Sequence, residues 1–157
     1  MAAGGRDDLE NTAMSEAPQN EARATEARLL HMVFPDHTNH LGTLFGGQAL
    51  AWMDMASFIA ASRYARSTVV TARSEQVDFN QPIHKGDLVE VIARLVKVGR
   101  SSMNVDVEVI TEDLLSGERK LCTRGHFVMI ALDPLGQPTP VPPLPAPASA
   151  REPARSP

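Results

Sequence analysis

A single cysteine, Cys122, stands among the 157 residues. No intrachain disulfide can form, and a lone thiol fits a reducing, cytoplasmic setting. Positive charge is not in excess either: 15 Lys and Arg face 19 Asp and Glu, a net charge of −4. That balance argues against nucleic acid as a partner, and it leaves only a local basic patch as an anion site. No apolar run approaches the roughly 20 residues of a membrane helix, residues 50–61 being too short, so no membrane insertion is expected. The polar, acidic start of the chain lacks the apolar centre of a secretory signal. There is no Gly-x-Ser-x-Gly elbow, which disfavours serine hydrolase chemistry. His37 and His40 have no Cys-x-x-Cys or further ligand cluster beside them, so no metal is expected, and no internal repeat is visible.

What is present divides the chain into three. Residues 1–22 are small, polar and acidic and read as a flexible tail. Nine of the 12 prolines follow Asp133, so residues 139–157 read as an extended proline-rich tail. The body is residues 23–138. Within it, residues 28–34 read as a first strand, and a turn-rich loop follows. Residues 48–66 read as a long helix, apolar nearly all round through Leu50, Trp52, Met53, Met55, Phe58 and Ile59, hence buried in the core. Short strands at 69–71 and 74–80 come next, then alternating strands at 88–98 and 103–111 and a closing strand at 120–132. One long helix with about five antiparallel strands gives an α+β fold, a sheet wrapped on a central helix.

The order of motifs is familiar. Asn39, Gly42, Phe45, Gly46 and Gly47 form Asn-x-x-Gly-x-x-Phe-Gly-Gly, and Met53-Asp54 follows inside the helix. Then come VVTARSEQVDFNQPIHKGDLVEV (69–91), VGRSSMNVDVEV (98–109) and VMIALDPLGQP (128–138). This set resembles the acyl-CoA thioesterases of the hotdog fold, the YciA-like and brain acyl-CoA hydrolase group. The resemblance spans the whole body. It implies hydrolysis of acyl-CoA to free fatty acid and CoA, no cofactor, an essential acid at the Asp54 position, and a dimer at least, often a hexamer built as a trimer of dimers. A non-catalytic acyl-CoA-binding regulatory module is the rival reading. A hotdog dehydratase is disfavoured, because that chemistry usually wants a His–acid pair and the helix holds no His.

Thioester hydrolysis asks for a polarised carbonyl, an activated water or nucleophile, and a seat for CoA. A helix N-terminus has free N–H groups and a positive dipole end, and glycine lets a substrate approach the backbone. Amides near Gly46 and Gly47 can therefore act as an oxyanion hole, whose single donors are worth roughly 3–4 kcal/mol in other hydrolases. Alternatively, the glycines merely let helix and sheet pack closely. Asp54 sits in mid-helix with Leu50, Ala51, Ser57 and Phe58 on its face. Burial there raises a carboxylate's pKa and strips its water, which suits a general base or a nucleophile; a satisfied buried Asp is the alternative. Asn39 fits as a partner for water or thioester, or as a turn former. Arg100, Ser101 and Ser102, with Lys97 near, make a basic, hydroxyl-bearing turn suited to CoA phosphates, or simply a solvated hairpin. Gly47 and Asp54 are seven residues apart, about 10 Å along a helix axis. Two antiparallel helices across a two-fold axis would bring the glycines of one to the acid of the other.

Overall fold

The computed structural model describes residues 22–146. Its elements are β1 (Glu26–Met32), a single 3-10 turn (Pro35–His37), α1 (Gly46–Ala65), β2 (Thr68–Phe79), β3 (Leu88–Val98), β4 (Ser102–Glu112) and β5 (Arg119–Leu132). All strand pairs are antiparallel, in the spatial order β1-β3-β4-β5-β2. The helix lies across one face and touches every strand. This is the α+β sheet-around-a-helix expected of the hotdog resemblance.

Alternation builds it. In β4, Met103, Val105, Val107, Val109 and Thr111 are buried while Asn104, Asp106, Glu108 and Ile110 are not. Val89, Val91, Ala93 and Leu95 are likewise buried in β3, where Ile92 on the opposite face is buried as well. Each fully buried Val or Met contributes about 1.5–3 kcal/mol relative to exposure. The other face carries charge in register. Arg28 bonds Glu90 at 2.9 Å, Arg94 bonds Glu26 at 2.8 Å and Glu108 at 3.3 Å, and Arg119 bonds Glu90. The sheet must bend close over the helix, and Gly125 permits it. A Cβ at that position would lie 2.6 Å from Met53 Cε and 3.2 Å from Val77.

Four expectations need correction. The helix is not buried all round. Ala49, Trp52, Met53, Ala56, Ser57, Ala60, Ala61 and Tyr64 face the sheet. Leu50, Met55 and Phe58 stay exposed on the opposite side. Composition alone could not separate a core helix from one with a second apolar face. The strands placed at 69–71 and 74–80 are one strand, β2, whose pairing with β5 slips between Thr71 and Arg73 and again between Glu75 and Asp78. Such bulges broke the alternation in the sequence. The helix starts at Gly46 rather than residue 48, and ends where Arg66 turns left-handed at φ 53°.

The chain also does not leave the body at residue 138. Val141 is 7% exposed, its N–H donates to Arg100 O at 2.8 Å, and Leu144 packs against the core. Prolines forbid a sheet position but not docking in extended form. Of the tails expected at residues 1–22 and 139–157, residues 1–21 and 147–157 lie outside the described residues.

Candidate active site

The N-terminus of α1 is open. Phe45 is its N-cap and offers no side-chain acceptor. Gln48 N–H and Ala49 N–H both donate to Phe45 O, at 2.9 and 3.1 Å. The N–H groups of Gly46 and Gly47 donate to no acceptor among the described residues, and both glycines are exposed. Nor does packing inside the chain require glycine at either position. An added Cβ would meet the Phe79 ring at 3.7 Å from Gly46, and Phe45 at 3.7 Å from Gly47, both ordinary contacts. Neither glycine has a positive φ.

Beside them lies a cleft of about 350 Å³ with Gly46, Ala49, Phe79, Gln81, Ile83 and Thr123 in its walls. Thr123 is fully buried, and its Oγ1 has no partner among the described residues.

The loop before the helix holds Asn39 in a fixed pose. Its Oδ1 accepts from Leu41 N–H at 2.9 Å, Thr43 N–H at 3.3 Å and Thr43 Oγ1 at 3.1 Å. Gly42, at φ 74°, supplies the left-handed residue this turn needs. Leu44 N–H donates to Ile83 O and Phe45 N–H to His37 O, which staples the loop to the body. Asn39 is thus a turn former through its oxygen. Its Nδ2 makes no hydrogen bond among the described residues and remains a donor. Under the loop, His31 stacks on Trp52 with ring centroids 4.2 Å apart, and His37 meets Trp52 edge-on at 5.3 Å. Burial, and then the charge of His37, lower the pKa of His31. No group of three His, Cys, Asp or Glu among the described residues is arranged to hold a metal.

Asp54 departs from expectation. It is half-exposed rather than buried, at the seam between α1 and the edge strand β2. Thr71 Oγ1 donates to its Oδ1 at 2.5 Å. The side chains around that seam are apolar and exposed: Met55 at 49%, Phe58 at 46% and Val70 at 42%. Within one chain Asp54 is not brought to the glycines. Eight residues of helix separate it from Gly46, about 12 Å along the axis.

Thr71 was not a candidate from the sequence. It reads there as one of several β-branched residues in an irregular strand. Its position on the edge strand opposite Asp54 could be found only once α1 was laid on the sheet.

The turn after β3 is tight. Gly99 N–H donates to Ser102 O at 2.8 Å, and Ala131 N–H donates to Ser101 O at 3.0 Å. Ser102 pairs with Ile130, which pairs with Val70, one residue from Thr71. The turn and the Asp54–Thr71 pair therefore share one end of the sheet, β4 and β2 being two strand spacings, roughly 10 Å, apart. Gly46 lies at the other end, against Phe79. Lys97 and Arg100 are exposed and form no ion pair with the described residues, unlike Arg28, Arg94, Arg119 and Arg124.

A model of the Thioesterase superfamily matches residues 41–118. The chain is 44% identical over 110 residues to the uncharacterized acyl-CoA thioester hydrolase YkhA of Bacillus subtilis, covering 70% of this chain and just under two thirds, 64%, of that one. It is 36% identical over 134 residues to the acyl-CoA thioester hydrolase YciA of Salmonella typhimurium, covering 83% of this chain and 97% of that one. The chain belongs to the acyl-CoA thioester hydrolases. Among solved members, an acyl-CoA hydrolase from Staphylococcus aureus in complex with butyryl coenzyme A, coenzyme A and coenzyme A disulfide superposes with TM-score 0.74 at 35% identity, over 76% of this chain and 73% of that one. A hexameric acyl-CoA thioesterase in its apo form superposes with TM-score 0.75 at 41% identity, over 76% and 77%. The S. aureus enzyme is also solved with an asparagine, an aspartate or a threonine replaced by alanine, positions 15 and 17 residues apart along its chain. The five-stranded antiparallel sheet with one long helix is the hotdog thioesterase fold.

Proposed function

We propose that this acyl-CoA thioester hydrolase cleaves acyl-CoA to a free fatty acid and CoA at a site shared between two copies of the chain. One observation carries the reading. Two helix N-terminal amides with no acceptor among the described residues sit on glycines that the fold does not require, while the Asp54–Thr71 pair lies about 12 Å along the same helix, on an apolar seam exposed in the single chain. Antiparallel packing of two helices over Leu50, Met55 and Phe58 would cover that seam. It would also place the glycine end of each chain at the Asp54 of the other. The hexameric neighbours fit further assembly of such dimers, and the lone buried Cys122 fits a cytoplasmic protein.

In this site the amides of Gly46 and Gly47, with Asn39 Nδ2, donate to the thioester oxygen as it gains charge. The partner's Asp54 has Oδ1 held by Thr71 and Oδ2 left for chemistry. Either of two steps balances. Asp54 takes a proton from water as the water oxygen bonds to the carbonyl carbon, and passes it to the CoA thiolate when the C–S bond breaks. Or Asp54 attacks the carbon and expels the thiolate, and water then opens the anhydride. Asn39, Asp54 and Thr71 are separated by 15 and 17 residues, the spacing of the asparagine, aspartate and threonine varied in the S. aureus enzyme. Lys97, Arg100, Ser101 and Ser102 would seat the CoA phosphates. No cofactor is called for.

A non-catalytic binder would need neither an acid held by a threonine nor free amides opposite it. The deciding assay is the purified protein with a panel of acyl-CoAs and a thiol reagent. Release of CoA is expected for at least one chain length, and no release from any would favour the binder.

A further inference from the structure

We infer that residues 139–144 form a strap that positions the Arg100–Ser102 turn, with Tyr64 as its anchor, and so sets how tightly the nucleotide end of acyl-CoA is held. The inference rests on the reading of that turn as the seat of the CoA phosphates.

The segment reads Thr-Pro-Val-Pro-Pro-Leu. Its prolines have no N–H, so Thr139 and Val141 are its only backbone donors before Leu144. Both are committed to the body. Thr139 N–H donates to Ala131 O at 2.9 Å, and Val141 N–H donates to Arg100 O at 2.8 Å. The same Ala131 donates its N–H to Ser101 O, so the turn is held from β5 and from the strap together. At the far end, the buried Tyr64 hydroxyl lies 2.9 Å from Pro142 O and 2.7 Å from Pro143 O, its two acceptors. Tyr64 is 1% exposed on the last turn of α1. The prolines restrict the unbound segment as well, so docking it orders little that was free. The result is a stiff link from the end of the helix to the carbonyl of Arg100.

The consequence falls on binding rather than on the reacting carbonyl. The strap bonds the backbone of Arg100, whose guanidinium has no ion pair among the described residues, and it makes no hydrogen bond to Asp54, Thr71 or Asn39 among the described residues. Misplacing Arg100 would weaken a contact remote from the carbonyl that is equal in ground and transition state. That raises KM and spares kcat.

Steady-state kinetics would be measured with one acyl-CoA and with the same acyl group on pantetheine. Tyr64→Phe keeps the ring and removes only the hydroxyl. It should raise KM for acyl-CoA by about threefold or more with kcat within about twofold, and leave pantetheine kinetics unchanged. Arg100→Ala should raise KM for acyl-CoA by about tenfold and spare pantetheine. The double variant should match Arg100→Ala alone, since the strap acts through that residue. Equal effects of Tyr64→Phe on both substrates, or additive effects in the double variant, would overturn the strap. If Arg100→Ala itself treats the two substrates alike, the phosphate seat is wrong and the strap falls with it. If Tyr64→Phe does not fold, Val141→Pro, which removes the N–H donated to Arg100 O, gives the same readout from the other end.

Discussion

The Thr71 hydroxyl donates a 2.5 Å hydrogen bond to Asp54 Oδ1 across 17 residues of sequence, tying mid-helix to the outer edge strand. The bond fixes one oxygen of the carboxylate, and the other makes no hydrogen bond among the described residues. Thr71→Val keeps the β-branched shape and removes the donor. We expect the fold and KM to hold while kcat falls by about tenfold or more, a cost near 1.4 kcal/mol. Kinetics beside circular dichroism would check it. A kcat within twofold of the unsubstituted chain would take Thr71 out of the machinery.

Gly46→Ala separates stability from activity. The new methyl finds Phe79 at 3.7 Å, an ordinary contact, and the backbone there has no positive φ. Alanine is the better helix former by up to about 1 kcal/mol in a helix interior, less in the first turn. The melting temperature should therefore hold or rise. The methyl enters the cleft where the thioester oxygen must reach the amide, so kcat should drop by at least about tenfold. Full activity in a normally melting variant would mean that the glycine end plays no part.

These two residues also mark what the sequence could and could not reveal. Strands β3 and β4 were legible because Met103 to Val109 alternate without a break and Val89 to Leu95 alternate but for Ile92, and half-buried strands have period 2. Gly46, Gly47, Asp54 and Asn39 stood out because each is an odd residue for its place. Thr71 did not, since a threonine in a strand is ordinary and only the packing of α1 gives it a carboxylate. Tyr64 and Val141 were hidden for the same reason: Tyr64 reaches Pro142, 78 residues on, and Val141 reaches back to Arg100, through a segment that proline content marked as a tail. Asp54 reads as buried in the sequence and is half-exposed in the fold, because helical composition cannot say which apolar face meets the sheet.

Acid should loosen the structure through His31. Its pKa is lowered from 6.5 in the folded chain, mainly by burial against Trp52. The unfolded chain therefore binds a proton that the folded chain refuses. The stability this represents is complete above pH 6.5 and is lost as pH falls through the folded value. Glu26 and Glu90 also have lowered pKa values, held down by bonds from Arg28 and Arg119 respectively, but they titrate below 4.5 and do not enter this window. The melting temperature should fall between pH 7.5 and 5.5, and fall less in His31→Phe, which keeps the stack. Parallel melting curves for the two proteins across that range would remove His31 as the cause.

The shared site makes the most demanding prediction. Asn39 sits with the glycine end, and Asp54 lies about 12 Å further along the axis. If each site takes Asn39 from one chain and Asp54 from the other, Asn39→Ala and Asp54→Ala homodimers damage both of their sites and should be nearly inactive. A heterodimer of the two variants places both substitutions in one site and leaves the second intact. Co-expression with two different affinity tags and sequential capture would isolate that species. We expect it to recover about half the activity of the unsubstituted dimer per mole, since one of two equivalent sites is whole. Were the pair to act within one subunit, every site in the heterodimer would carry one damaged residue. Its activity would then stay at the level of the parents, and the antiparallel helix arrangement would have to be abandoned.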